Sequence, residues 1–216
     1  MMPPSHPLAA VTLTGRHVRL VPLGEEHLPA LCAVGLDPEL WRLTVSRVAS
    51  EADMGRYVAE ALAARDRGTA LPFVTTLADD GRVVGSTRLA NYAPTHRRVE
   101  IGWTWIARPW QRSAVNTEAK LLMLAHAFDT LGCERVELKT DALNERSRAA
   151  ILRLGATEEG TLRRHTVTEG GRVRDTVYFS ILADEWPAVR ERLQARLMAG
   201  LASSLSAPSR GLILPA

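Results

Sequence analysis

The sequence predicts a single α+β domain built on a mixed, mostly antiparallel sheet of about seven strands with flanking helices. Stretches of alternating apolar and polar residues, typical of strands, are interspersed with stretches of helical periodicity. Short turns that contain Gly, at 78–81 and 169–171, join two pairs of these strands, which is a hairpin signal. No internal repeat or linker stands out in the 216 residues, a length that suffices for one core.

Start signals mark the helices in the first half of the chain. Asp37 followed by Pro38 predicts a capped short helix, and Ser50 predicts the cap of a longer helix at 51–66. Acidic residues open a helix at 25–34, as the helix dipole favours. Strands are predicted at 18–21, 72–77, 82–90 and 99–106.

The second half alternates in the same way. A polar turn at 111–116 precedes a helix at 117–130, whose predicted buried stripe is Leu121, Leu124, Ala125 and Phe128. Asn144 caps the next helix and Gly155 ends it. Further strands are predicted at 135–140, 160–167 and 173–181, and a last helix at 184–198. We therefore expect a disordered segment at 1–10, one domain at 11–198 and a loose tail at 199–216.

Composition narrows the classes of function. The net charge is +3, and nearly all the positive charge is arginine, because Lys120 and Lys139 are the only lysines. No basic run alternates with aromatic residues, so nucleic-acid binding is not predicted. No apolar run approaches the roughly 18 residues that span a bilayer, and no secretion signal is recognisable, so we expect a cytoplasmic protein without membrane association. Cys32 and Cys133 lack a CxxC spacing and the histidines lack a metal-binding spacing, so we expect no metal.

The segment from Trp110 to Lys120 joins an apolar strand to a periodic helix through a polar turn. The first N–H groups of a helix have no intrahelical partner and the dipole adds positive charge, so this turn is a candidate anion site. Gln111 and Arg112 offer further hydrogen bonds to a phosphate. The residues equally allow a plain connection capped by Asn116, since the turn has no glycine and no Walker-type ending.

The order of the elements distinguishes these alternatives. Five consecutive elements together resemble the GNAT superfamily of acyl-CoA-dependent N-acetyltransferases. They are the strand 99–103, the polar turn, the periodic helix, the strand ending at Asp141 and the helix between Asn144 and Gly155. The runs 160–165 and 174–182 more narrowly resemble its RimJ/RimL branch, which acetylates protein N-terminal amines and related amines. The resemblance covers residues 11–195. It implies the GNAT fold and direct transfer of acetyl from acetyl-CoA to a primary amine.

The resemblance also implies a donor site. In the family the pyrophosphate of acetyl-CoA sits on a turn with two glycines, which are Ala114 and Asn116 here. The methyl group of Ala114 occupies space where the backbone should approach the phosphates, whereas Asn tolerates left-handed conformations, so we expect slightly weakened binding. A splayed strand pairs its backbone with the pantetheine arm. The implied donor-site residues are Trp103, Thr104, Trp105, Ile106, Gln111, Arg112, Ser113, Ala114, Val115, Asn116, Thr117 and Asn144.

Strand alternation makes a further prediction about the tryptophans of this segment. It places Trp103 and Trp105 on one face of the sheet, and Glu100 and Gly102 on the other. Packing in the core or at an interface is an equally open role for the two tryptophans.

The implied reaction needs a base for the amine and a proton for the departing thiolate. Glu100 matches the base position used in parts of the family, and a salt bridge on the sheet surface is its alternative role. The position of the tyrosine that many members use as the acid is Ile151 here. The resemblance therefore implies Ser147 as the acid, although Ser147 is equally suited to be a plain first-turn residue.

The acceptor is expected between the helices at 37–66 and the hairpin at 162–178. Arginines in that region suit an acidic acceptor, or are simply solvated. The candidate contacts are Trp41, Arg42, Tyr57, Arg163, Arg164, His165 and Arg172. Two other functions stay open, a small-molecule or antibiotic acetyltransferase and a non-catalytic acyl-CoA-binding module. Because the RimJ/RimL branch often dimerises, a homodimer also stays open.

Overall fold

The computed structural model describes residues 8–205, with side chains as far as Ala199. The strands are β1 Leu13–Thr14, β2 Val18–Pro22, β3 Leu71–Leu77, β4 Val83–Ala93, β5 Arg98–Ile106, β6 Arg135–Asp141, β7 Thr157–Val167 and β8 Val173–Leu182. The α-helices are α1 Leu28–Gly35, α2 Glu51–Asp66, α3 Ala114–Ala125, α4 Glu145–Leu154 and α5 Trp186–Leu205. Short 3-10 helices lie at Glu25–His27, Pro38–Leu40, Pro94–His96 and Arg108–Trp110, and a π-helical turn at His126–Thr130.

The eight strands form one sheet in the order β1-β2-β3-β4-β5-β6-β8-β7. Neighbouring strands are antiparallel, with the exception of the parallel pair β5 and β6. Parallel neighbours need a crossover connection, and α3 supplies it between β5 and β6. The predicted α+β class with a mostly antiparallel sheet is therefore confirmed, and the two-residue strand β1 is an addition to it.

Helices cover both faces of the sheet. On one side, which we call the α3 face, residues of α3, α4 and α5 pack on the sheet in the larger core cluster. On the other side, the α2 face, a second cluster joins α1 and α2 to the sheet through Val74 and Trp105. The sheet therefore has a core cluster on each of its two faces.

The predicted helix caps are present. The side chain of Asp37 accepts from the N–H of Glu39 at 3.0 Å, and that of Ser50 accepts from the N–H of Asp53 at 3.2 Å. Asn144 begins α4, and Gly155 ends it in a left-handed conformation with φ 106°. These local signals were therefore reliable, because each depends on a few consecutive residues.

Other boundaries differ from the prediction. The helix predicted from Thr117 begins at Ala114, and its N-cap is Ser113, not Asn116. Its buried stripe also differs, because Glu118, Lys120 and Met123 are buried while Leu121 and Ala125 are only partly so. The predicted stripe included neither Glu118 nor Lys120, because charged residues are rarely buried.

The chain ends were predicted as a disordered segment at 1–10 and a loose tail at 199–216. Residues 1–7 and 206–216 lie outside the described part. Helix α5 continues to Leu205, beyond its predicted end at 198. No helix within residues 8–205 combines the length and the apolar character that crossing a membrane requires.

Candidate active site

An opening in the sheet lies between the parallel strands β5 and β6. Their pairing covers only three residues of each strand and stops at Glu100 and Glu137. Strand β5 stays paired with β4 as far as Ile106, and β6 stays paired with β8 as far as Asp141. The facing edges 101–106 and 138–141 therefore border a wedge, which we call the splay. Backbone N–H and C=O groups along such edges need other partners, and the amides of an extended ligand can supply them.

A β-bulge interrupts β5 at the splay. Arg88 of β4 pairs with Gly102 and Ser86 pairs with Trp105, so Thr87 alone lies opposite two residues, Trp103 and Thr104. Trp103 has the left-handed φ of 49°. The extra residue reverses the alternation beyond it, so Trp105 lies on the same face as Glu100 and Gly102. The predicted separation of Trp105 from those two residues was therefore wrong.

Aromatic residues support the bulge from the α2 face. The hydroxyl of Tyr57 donates to the carbonyl oxygen of Trp103 at 3.1 Å. The Arg88 guanidinium lies 4.3 Å from the ring centre of Tyr57 and 5.3 Å from that of Trp103. Trp103 is 38% exposed, whereas Trp105 is buried and its ring centre lies 5.5 Å from that of Trp41. Core packing is thus the observed role of Trp105, while Trp103 remains accessible.

The polar turn brings the start of α3 to the end of β5. Arg112 adopts the left-handed conformation with φ 61°, and the Ser113 hydroxyl accepts from the N–H of Val115 at 3.3 Å. Ala114 and Asn116 lie within α3 and have ordinary negative φ values. Asn116 therefore does not need the left-handed conformation that was expected to explain it. The Oδ1 atom of Asn116 is buried and finds no hydrogen-bond donor in the described structure.

Gln111 ties this turn to α4. Its Nε2 donates to the carbonyl oxygen of Ile106 at 2.7 Å, and its Oε1 accepts from Arg146 at 2.9 Å. A cleft of about 680 Å³ lies alongside. It is lined by Glu39, Leu40, Arg42, Leu43, Arg108, Gln111, Leu143, Asn144, Glu145 and Arg146. Arg42 pairs with Glu39 and Arg108 pairs with Asp37, whereas Arg146 meets the neutral Gln111, which leaves its charge available to an anionic ligand.

Helix α4 begins beside this cleft. The Asn144 side chain accepts from the N–H of Ser147 at 3.0 Å, so its oxygen serves as the cap. Ser147 is partly buried in the first turn of the helix. Ile151, one turn further, is buried in the core on the α3 face and has no proton to offer. The predicted role of Ser147 as an acid stays a prediction.

Glu100 is paired in the structure. Its Oε2 accepts from Nζ of Lys139 and from Nδ2 of Asn91, both at 2.7 Å, and the residue is 6% exposed. These contacts match the alternative role, a salt bridge on the sheet. The role as a base stays a prediction, and it requires a substrate amine or a water to reach this carboxylate.

The acceptor candidates are distributed over two regions. Trp41 and Tyr57 are buried under the α2 face, and the indole N–H of Trp41 donates to the carbonyl oxygen of Gly35 at 2.7 Å. Arg164 and His165 lie in the β7–β8 hairpin, beside an open cavity of about 770 Å³. The backbone N–H of Arg164 donates to Asp175 at 2.6 Å. Trp41 and Tyr57 thus lie on different elements from Arg164 and His165. The substrate contacts of these four residues, like those of Arg42, Arg163 and Arg172, stay predictions.

Sequence reasoning missed two buried charges of α3. The Glu118 carboxylate accepts from the backbone N–H groups of Arg16, His17 and Val18, so it fixes the turn before β2. Lys120 points to the sheet, where its Nζ donates to the Thr104 hydroxyl at 2.6 Å. The spacing Lys120, Leu124, Phe128 places a lysine in an apolar helical stripe, which was a signal that could have revealed it.

The residues at the splay fit acetyl-CoA. Free backbone edges suit the amides of pantetheine, and the start of α3 with Arg112 suits a pyrophosphate. The described residues contain no group of three or more His, Cys, Asp or Glu placed to hold a metal ion.

Comparisons with known proteins agree with this geometry. The family model described as an acetyltransferase (GNAT) domain matches residues 17–157. The chain is 36% identical over 107 residues to the Bacillus subtilis protein named "Putative ribosomal N-acetyltransferase YdaF", which covers 50% of this chain and 57% of that protein. The match thus spans little more than half the length of that relative.

Solved structures are similar over more of the chain. A GCN5-related N-acetyltransferase from Brucella melitensis superposes with a TM-score of 0.81 at 31% identity, covering 89% of this chain and 87% of that one. Mycobacterium smegmatis RimJ in complex with CoA-disulfide superposes with a TM-score of 0.72 at 26% identity, covering 90% of this chain and 97% of that one.

Proposed function

Because the chain belongs to the GNAT acetyltransferase family, we propose that it transfers acetyl from acetyl-CoA directly to a primary amine. The observation that carries this proposal is the splay, a wedge in the sheet between 101–106 and 138–141 that ends beside the start of α3. A thioester held there would be open to an amine approaching from the α2 face.

The donor would extend along β5 from the turn to the bulge. Peptide groups of 103–106 would pair with pantetheine, while the N–H groups of 113–117 and the Arg112 side chain would hold the pyrophosphate. Ala114 adds one methyl group to this cradle, on a helical backbone that needs no glycine. We therefore expect binding to be weakened only slightly.

The chemistry would combine orientation with proton transfer. Glu100 would take the proton of the amine, directly or through water, and backbone N–H groups beside the bulge would polarise the thioester carbonyl. The amine nitrogen then attacks the carbonyl carbon, the C–S bond breaks, and the thiolate is left to accept a proton. Ser147, in the first turn of α4, is one proposed source of that proton.

A protein N-terminal amine is the acceptor that we propose. Support comes from the name of the Bacillus relative, a ribosomal N-acetyltransferase, and from the open β7–β8 hairpin, which leaves room for a peptide beside Arg164 and His165. A cytoplasmic location and a homodimer remain predictions within the same proposal.

The test mixes the full chain with acetyl-CoA and measures thiol release on a panel of acceptors. The panel contains peptides with free N-terminal amines, the same peptides with blocked N-termini, and small polyamines and aminoglycosides. Turnover confined to free N-termini is expected. Turnover confined to the small amines would mean that the acceptor is a small amine and not a protein N-terminus. CoA binding with no turnover on any amine would favour a non-catalytic binding module.

A charge substitution tests the donor site separately from the acceptor. Ala114→Glu places a carboxylate at the first position of α3, where it favours the helix but repels a pyrophosphate. We expect the Kd for CoA to rise by at least about tenfold, with no loss in Tm. Ala52→Glu, in the first turn of α2, is the matched control and should bind CoA like the wild type. Unchanged binding in Ala114→Glu would remove the proposed pyrophosphate site.

A further inference from the structure

Lys120 is a buried lysine without an acidic partner. It is 6% exposed, and no carboxylate within residues 8–199 forms an ion pair with it. Its Nζ donates to Oγ1 of Thr104 at 2.6 Å, and Oγ1 of Thr104 lies 2.7 Å from Oγ1 of Thr87. Burying a cation that nothing neutralises lowers the stability of the fold. A role in function therefore explains the presence of Lys120 better than a role in stability.

The charged groups on the elements around α3 are engaged elsewhere. Glu118, on the same helix, accepts from three backbone N–H groups before β2. On α5, Arg190 pairs with Asp129, and Arg192 lies against Gly155. From β4 and β5, the charged side chains of Arg88 and Glu100 point to the opposite face of the sheet.

Burial alone therefore determines the protonation of Lys120. It lowers the pKa of the ammonium group from 10.5 to about 7. Its remaining polar neighbours are uncharged, namely the hydroxyls of Thr87 and Thr104, with Sδ of Met123 3.5 Å from the Thr87 hydroxyl. Such a group exchanges its proton readily near neutral pH.

Thr104 connects this lysine to the splay. It directly follows Trp103 in the bulge and belongs to the edge 101–106 that β6 leaves unpaired. Thr104 is only partly buried, whereas Lys120 behind it is buried. Helix α4, with Ile151 in place of the family tyrosine, packs on the same α3 face. The paired carboxylate of Glu100 lies on the other face, so the two faces separate the groups suited to the amine and to the sulfur.

We propose that Lys120 and Thr104 form a proton relay that protonates the departing thiolate of CoA. The inference rests on the proposed acetyl transfer. As the C–S bond breaks, its electron pair goes to sulfur, and the thiolate takes the Thr104 hydroxyl proton while Thr104 takes one from the Lys120 ammonium. Neutral Lys120 regains its proton from water through the open splay after the products leave. Thr104 is the group that touches substrate, and Lys120 acts through it.

Direct titration tests the relay without any acceptor. The chain has only two lysines, so side-chain ¹³C labelling gives two ε signals, and Lys120→Met assigns them. When CoA binds, we expect its thiol to give its proton to Lys120 through Thr104. The thiolate left behind favours the ammonium form, so the Lys120 midpoint near pH 7 should move upward by roughly one unit. Desulfo-CoA, which lacks the sulfur, should leave the Lys120 midpoint unchanged. If CoA does not bind, the proposed function fails; if CoA and desulfo-CoA act alike, the relay alone fails.

Kinetics supply the second readout. Thr104→Val and Lys120→Met should each lower kcat on the order of 100-fold, leave the KM for acetyl-CoA within about threefold, and remove the alkaline limb of the kcat–pH profile. Thr104→Ser keeps the hydroxyl, so it should keep both the wild-type kcat and the alkaline limb of the kcat–pH profile. Thr75→Val, which removes a buried unpaired hydroxyl from β3, is the control for a threonine lost from the sheet. An alkaline limb that persists in Thr104→Val and Lys120→Met would overturn the relay.

Discussion

The two lysines of the chain lie on opposite faces of the same sheet and in opposite electrostatic settings. Lys139 on β6 meets Glu100 on the α2 face, with Nζ 2.7 Å from the carboxylate. Burial lowers the pKa of Lys139, but the hydrogen bond and charge of Glu100 outweigh it and the net shift is upward. Lys120 on α3 has only hydroxyl partners, and burial lowers its pKa to about 7. The presence or absence of one carboxylate, therefore, decides whether a lysine here is a permanent cation or a proton donor.

Removing the ion pair on the α2 face should have the largest effect on stability. Lys139→Met leaves the Glu100 carboxylate buried with Asn91 alone, and we expect a loss of about 3 kcal/mol in the free energy of unfolding at pH 7. Urea unfolding measures it. The double variant Glu100→Gln/Lys139→Met should recover most of the loss, since no unpaired charge remains. A loss below about 0.5 kcal/mol in the single variant would mean that the pair is solvated like a surface bridge.

Removing the unpaired lysine should raise the free energy of unfolding. Lys120→Met replaces a buried cation by an apolar side chain of similar length, so we expect a gain of about 1–3 kcal/mol at pH 7. The unfolded chain binds this proton up to about pH 10.5 and the folded chain only to about pH 7. Wild-type stability from this group therefore rises with pH across that window.

The pH dependence of Lys120→Met distinguishes the two lysines most sharply. Its advantage in Tm over the wild type should be largest at pH 6–7 and shrink toward pH 10. The contribution of Lys139, whose pKa is raised, should instead persist below its unfolded value and disappear only as the pH rises through the folded one. An advantage for Lys120→Met that does not change between pH 6 and 10 would contradict a titrating Lys120.

The smallest effect is expected at the bulge that lies between the two faces. Tyr57→Phe removes the hydroxyl that donates to Trp103 O, and we expect a loss of about 1 kcal/mol, measured by urea unfolding. Because Thr104 and Lys120 hold the same bulge from the α3 face, the kcat–pH profile should keep its shape. A changed alkaline limb in Tyr57→Phe would show that the two faces are not independent.

The fold was predictable because its signals are local. Asp37, Ser50 and Asn144 cap the predicted helices, and the alternation at 135–140 matches β6. The turn that leads into α3 was likewise recognisable, because a strand running into a periodic helix is a local pattern; its role as an anion site stays a prediction. The alternation failed at Trp103, since a bulge depends on the partner strand β4 and leaves no periodic signal.

For the candidate site, the sequence identified residues but not the partners that they meet in the fold. Glu100 was identified as a candidate base, but its partner Lys139 lies 39 positions away, and only the pairing of β5 with β6 brings them together. Lys120 was not singled out, because lysines are rarely buried without a partner. That general expectation outweighed its position in the apolar stripe of α3.

By itself, the sequence determined the α+β class, the helix starts and the turn that leads into α3, because propensity, capping and periodicity act over a few residues. Tertiary structure alone decided where β5 leaves β6, which face each tryptophan occupies and which lysine meets a carboxylate. These features arise from contacts between segments distant in the chain, where burial and pairing set the electrostatics of a charged group. The end of the β5–β6 pairing and the charges on the two sides of the splay both follow from the packing.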